Sequence, residues 1–259
     1  MKNCIARIAL SMVLMFTFAS FVMAQPGFST IPSVHFAVKY QKGIAEEDAK
    51  RVAEYLEADH AYLTKKLALS LLKPPLEVRV YASAGKYLEA TAQQKPWRGA
   101  LLHREIIHVQ PVVEIMKKRI FEKSLSYELA LAFLEPTSGK GSPRWLREAF
   151  AVHHSGVMAD LRPPIETRIS AFSDLDQDLQ QYPTPPQRSD VLFLLGQTLK
   201  FFSEQYGEEK ALAVYKAFDG VHSLEDIFKA HFGKDFSVIE KEWAGYIARQ
   251  IEPIKKKQD

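Results

Sequence analysis

Polar and apolar residues alternate along Val34-His35-Phe36-Ala37-Val38-Lys39-Tyr40, which places Val34, Phe36, Val38 and Tyr40 on one face of a half-buried strand. Between Ile44 and Leu72 the period changes. Val52, Leu56, Leu63 and Leu67, joined by Tyr55, recur at helical spacing and predict a long amphipathic helix that Pro74-Pro75 ends. Leu76 to Tyr81 reads as a second strand, Lys86 to Ala92 as a short helix, and Ala100 to Gln110, with Ile106-Ile107, as a third strand. Val113 to Glu135 is helical by composition and period, and Pro136, Gly139 and Gly141 break it. Another helix runs from Pro143, suited to a first helical turn, to Gly156. Leu161 to Ser189, rich in Pro, Gln and Asp, reads as a connection with one short helix, and the chain is helical from Asp190 with stops at Gly207, Gly220 and Gly233. The pattern predicts an α+β protein, a small mixed sheet with flanking helices followed by an all-helical C-terminal lobe. Its divisions fall at 25–160, 161–189 and 190–259.

Composition changes this picture at the start of the chain. Lys2 and Arg7 precede an apolar run from Ile8 to Val22, with Val22-Met23-Ala24 behind it, which predicts a signal peptide over 1–24 and export to the periplasm or medium. The apolar run is about 15 residues where a membrane span needs about 20, so no membrane anchor is expected after cleavage. The sole cysteine, Cys4, would leave with the signal, which excludes disulfides, thiolate metal sites and cysteine nucleophiles from the mature chain. Loss of Lys2 and Arg7 would take the formal charge from +3 to +1, leaving no nucleic-acid footprint. The Lys255-Lys256-Lys257 end reads as a solubilising tail.

Candidate chemistry lies in two helical stretches. A zinc-peptidase helix carries two histidines four residues apart, so that both imidazoles reach one ion, and a glutamate beside the first to take a proton from metal-bound water. This chain has Tyr127-Glu128-Leu129-Ala130-Leu131, with the glutamate and neither histidine. Downstream, Pro143-Arg144-Trp145-Leu146-Arg147-Glu148-Ala149-Phe150-Ala151 resembles the second conserved helix of the gluzincin, or peptidase MA-like, family, whose Pro-x-Trp-Leu-x-Glu-Gly-x-Ala pattern supplies a glutamate as third ligand. Glu148 stands at that ligand's position, Ala149 replaces the glycine, and His153 matches a place usually held by tyrosine. The order of elements is similar to the family's, as are Tyr206-Gly207-Glu208-Glu209-Lys210 and Glu240-Lys241-Glu242-Trp243-Ala244-Gly245-Tyr246 in the tail. The resemblance implies a metallopeptidase-like helix pair with Tyr127, Leu131 and Glu148 at vestigial ligand positions and Glu128 as vestigial base.

Leu131 has no donor atom and Tyr127 offers a phenol of ordinary pKa near 10, so this set does not hold catalytic zinc and no metal or other cofactor is expected. Ile120, Ser124, Tyr127, Leu131 and Leu134 share one helical face, and side chains are expected to fill the ion's place. If Glu128 and Glu148 face one cleft they require a cation, so a hydrogen-bonded cluster with Arg144, Arg147 or a histidine is expected. His103 and His108 are expected on opposite faces of one strand, His153 and His154 to point about 100° apart, and His35, His60, His222 and His231 to be isolated. Phe193, Phe201, Phe202, Tyr206, Tyr215 and Phe218 read as core.

Three functional readings follow. In the first, an inactive peptidase-like protein binds a peptide or a periplasmic protein partner in the old cleft, against the strand Ala100 to Gln110, with Glu128, Trp145, Arg147, His153 and His108 as its lining. In the second, Glu148 with His153, His154 or His108 holds zinc and Glu128 is the base of an active peptidase. In the third, Tyr127 and Leu131 close the cleft and the protein is structural.

Overall fold

The computed structural model describes residues 27–71, 74–92, 98–135, 142–164, 171–181 and 185–255. The signal segment 1–24, the 136–141 break and residues 256 and 257 of the lysine tail lie outside them. The protein is α+β. Five strands, β1 (Phe28–Pro32), β2 (Phe36–Gln41), β3 (Leu76–Val80), β4 (Ala100–His103) and β5 (Ile106–Val109), form one mixed sheet in the order β1-β2-β3-β5-β4. The central pairs β2/β3 and β3/β5 are parallel; the outer pairs are antiparallel.

Strand β1 lies in the lead before the alternating stretch, and its Pro32 is tolerated because β1 is an edge strand. The alternating strand begins at Phe36 rather than Val34, which is left exposed. Ala100 to Gln110 is not one strand but a hairpin. Arg104 and Glu105 both take positive φ, 52° and 61°, the left-handed pair of a two-residue turn, without the glycine or asparagine that would mark it.

Helix α1 (Glu46–Leu67) carries Glu46, Glu47 and Asp48 in its first turn and Lys65 and Lys66 in its last, each opposing the helix dipole end beside it. Helix α2 (Ala84–Thr91) is capped by Ser83. The expected Val113–Glu135 helix is two, α3 (Val112–Lys117) and α4 (Phe121–Leu134), parted where Arg119 turns left-handed at φ 56° and Ile120 N–H reaches the Ile115 carbonyl. Every residue of α4 from Leu125 to Leu134 is buried, so α4 is a central helix enclosed on all sides. Gly99 lets the chain entering β4 pass against it: a β-carbon there would stand 2.5 Å from Ser124 Oγ.

Helix α5 (Arg144–His154) packs on α4, and α6 (Phe172–Gln181), α7 (Pro185–Tyr206), α8 (Glu208–Lys216), α9 (Leu224–Phe232) and α10 (Phe236–Lys255) complete the helical region. One hydrophobic core runs without interruption from Phe36, Val78 and Ile107 in the sheet through Phe133 and Phe150 to Phe202 and Trp243. The opposite sheet face carries a smaller cluster of Tyr81, Tyr87 and Leu101. Tyr215 Oη donates to the Leu134 carbonyl, joining α8 to the end of α4.

Trp145 belongs to the core. It is 1% exposed, stacks on Phe172 at 4.5 Å and 10°, and lies beside Phe202 and Phe228. Its amide donates to Asp176 Oδ1 at 2.7 Å, so a carboxylate from α6 caps α5. Trp145→Ala is expected to lower the unfolding free energy by roughly 3–5 kcal/mol in chemical denaturation. A loss under about 1 kcal/mol would contradict this core position.

Candidate functional site: a closed carboxylate network

Successive residues on α4 point to different sides, so Tyr127 and Glu128 enter different surroundings, and one chain of polar contacts joins them. Glu128 is 2% exposed. Its Oε1 meets Arg98 Nη2 at 3.0 Å, and its Oε2 accepts the Leu102 N–H at 2.8 Å. The Arg98 guanidinium lies 5.7 Å from the centre of the Tyr127 ring, within cation–π range. Tyr127 Oη donates to Glu148 Oε2, and Arg144 Nε stands 3.4 Å from Glu148 Oε1. Glu148 is buried as well. Each carboxylate thus has its own hydrogen-bonded set, linked through the Arg98–Tyr127 cation–π contact, and the cation at Glu128 is Arg98 rather than Arg147 or a histidine. Arg98 is 30 residues before Glu128 in a stretch without helical or strand period, and no local signal pointed to it.

The Leu102 contact bears on the sheet edge. His103 and Ile106 flank the two-residue turn and pair with each other. Outward and inward N–H groups alternate along an antiparallel strand, so the Leu102 N–H faces away from β5, on the free side of β4. An added peptide strand would use that donor, and Glu128 holds it.

The other proposed site residues are dispersed. Leu131 is buried. Arg147 lies 4.0 Å from Glu135, and its Nε is buried without a hydrogen-bond partner. Across the hairpin His108 pairs with Leu101, two residues from His103, so both histidines lie on one sheet face with rings 6.2 Å apart, not on opposite faces. The turn residues Arg104 and Glu105 reset the alternation. His108 Nδ1 bonds Tyr81 Oη at 2.7 Å among the smaller cluster. The set of Glu148 with His153, His154 or His108 does not converge, and His153 and His154 meet Glu208 instead. His35 and His60 are not isolated: their rings stack at 3.7 Å, and His35 pairs with Glu57.

Together the contacts describe a neutralised interior. Glu128 has an arginine and an amide on its oxygens, and Glu148 has a phenol and an arginine. Burial pushes the neighbouring Tyr87 phenol up, and the Glu128 charge adds to this. A scan against protein-family models finds no match to this chain, and a search of curated proteins finds no relative.

Glu128→Ala leaves the Arg98 charge and the Leu102 amide without this carboxylate, and is expected to cost roughly 3–5 kcal/mol in chemical denaturation. Burial first, then the Arg79 and His103 charges, lower the His108 pKa to about 4, while Glu77 opposes this. Between that value and the unfolded value near 6.5 only the unfolded chain takes the proton, so stability falls as pH drops through this window. The loss attributable to His108 reaches at most about 1.4 kcal/mol per pH unit. The slope of stability against pH between 6.5 and 4 is therefore expected to be shallower in His108→Gln than in the parent; equal slopes would contradict it.

Proposed function

We propose that this is an exported, non-catalytic protein of the peptidase MA-like type, in which the former active site has become a closed structural element. It acts as a structural or assembly protein, meeting its partners through its outer surface in the periplasm or outside the cell. The observation that carries this reading is the engagement of both Glu128 oxygens, one by Arg98 Nη2 and one by the Leu102 N–H. The first contact ion-pairs the carboxylate that stands at the family's general-base position, which favours its ionised form and makes it a weaker base. The second occupies one of the edge-strand donors that peptide capture in the old cleft would use, which supports the closed reading over the open-groove one.

The peptidase MA-like origin rests on Pro143 to Ala151, on Glu128 and on the order of elements. Export rests on the composition of residues 1–24. Among the described residues no helix is long and apolar enough to cross a membrane.

The test is hydrolysis of a mixed peptide library by purified mature protein, with and without added zinc, for the parent chain and Glu128→Gln. Neither protein is expected to hydrolyse the library above a no-protein blank, while Glu128→Gln unfolds at lower temperature. Zinc-dependent hydrolysis that disappears in Glu128→Gln would establish the active-peptidase reading instead.

A further inference from the structure

A second set of metal-ligating side chains lies apart from the carboxylate network, where α5 ends and α8 begins. One ligand atom each from His153, His154 and Glu208 lies within 4.8 Å of the others. The expected divergence of the adjacent histidines is not seen at their ring nitrogens. The rings stand 89° apart with centres 5.1 Å from each other, and that angle lets edges from two sides approach one point.

His154 is what calls for a ligand. Its side chain is 2% exposed, yet neither Nδ1 nor Nε2 has a hydrogen-bond partner. Buried polar nitrogens are rarely left unmatched in a folded protein. Its ring is held between Phe150, stacked parallel at 6.3 Å, and Tyr62, edge-on at 6.2 Å, so it does not turn freely to another partner. Nε2 points at Glu208 Oε1 from 3.5 Å, too far for a good hydrogen bond. It is close to the separation of two ligands on one tetrahedral centre, roughly 3.3–3.5 Å for bonds of about 2.0–2.2 Å.

We propose that His153, His154 and Glu208 form a binding site for a divalent transition-metal cation of the zinc class. Two imidazoles and one carboxylate suit zinc, nickel or copper, whereas magnesium and calcium prefer all-oxygen sets. Three protein ligands leave a fourth position for water, and His153, exposed at the surface, gives the ion a way in. The carbonyl end of α5 carries negative partial charge toward the same place. The Lys66 ammonium, exposed at the end of α1, is the cation nearest this site and opposes the ion. Bound metal would fasten α5 to α8. The site shares no residue with the Glu128 and Glu148 network, so it stands or falls independently of the proposed function.

The experiment is titration of chelator-stripped full-length protein with zinc by calorimetry, paired with thermal unfolding and the visible spectrum after cobalt substitution. The parent is expected to bind one equivalent, to unfold at higher temperature with zinc but not with magnesium, and to show a tetrahedral cobalt band. Glu208→Gln, which removes a half-exposed carboxylate, is expected to weaken zinc at least about tenfold and to abolish the thermal shift. Glu209→Gln, one residue away, is expected to leave both unchanged. His154→Ala tests the buried ligand, and Glu208→Gln still decides the matter if that variant does not fold. Absence of saturable zinc binding, or binding equal in parent and Glu208→Gln, would overturn the proposal. Zinc bound here without peptide hydrolysis agrees with the proposed function, whereas hydrolysis lost in Glu128→Gln would overturn that function and leave this site standing.

Discussion

A carboxylate inside a protein must find a cation or hydrogen-bond donors, and the placing of Glu128 within the buried Leu125 to Leu134 stretch of α4 imposes that demand at the centre of this fold. Removing an ionised group from water costs several kcal/mol unless its lone pairs are matched. Arg98 and the Leu102 amide meet it, and in doing so they tie the chain before β4, the β4 edge and α4 to one another. Gly99, between the arginine and the strand, permits the close approach to α4 that this contact needs.

The same reasoning extends to Glu148. Two carboxylates brought near one another without an ion between them would repel, and each here has its own proton donor or guanidinium. Tyr127 links the halves, with its ring beneath Arg98 and its hydroxyl on Glu148. Between these helices the charges are balanced by side chains of the chain itself.

How much of this was legible beforehand differs by element. The long helix α1, strands β2 and β3, helix α5 and the aromatic core of the last third follow from periodicity and stop signals, because their burial is local and regular. The short strand β1 sits beside a proline and has too few residues to show a period. The hairpin at Arg104-Glu105 uses left-handed residues that carry no turn signature, and reading it as one strand reversed the predicted face of His103 relative to His108. The break at Arg119 likewise interrupts a stretch of unbroken helical composition.

The sequence by itself determined the class of fold, the burial of the aromatic core and the absence of a histidine at Tyr127 and at Leu131, since residue type and spacing are properties of the chain alone. Only the tertiary structure decided which cation faces Glu128, that one edge-strand donor, the Leu102 N–H, is held by it, and that His153, His154 and Glu208 converge. Those are meetings across 26 or more residues or between helix ends. They depend on how elements pack, and hydrophobic pattern constrains the packing faces without naming the polar partners that end up between them.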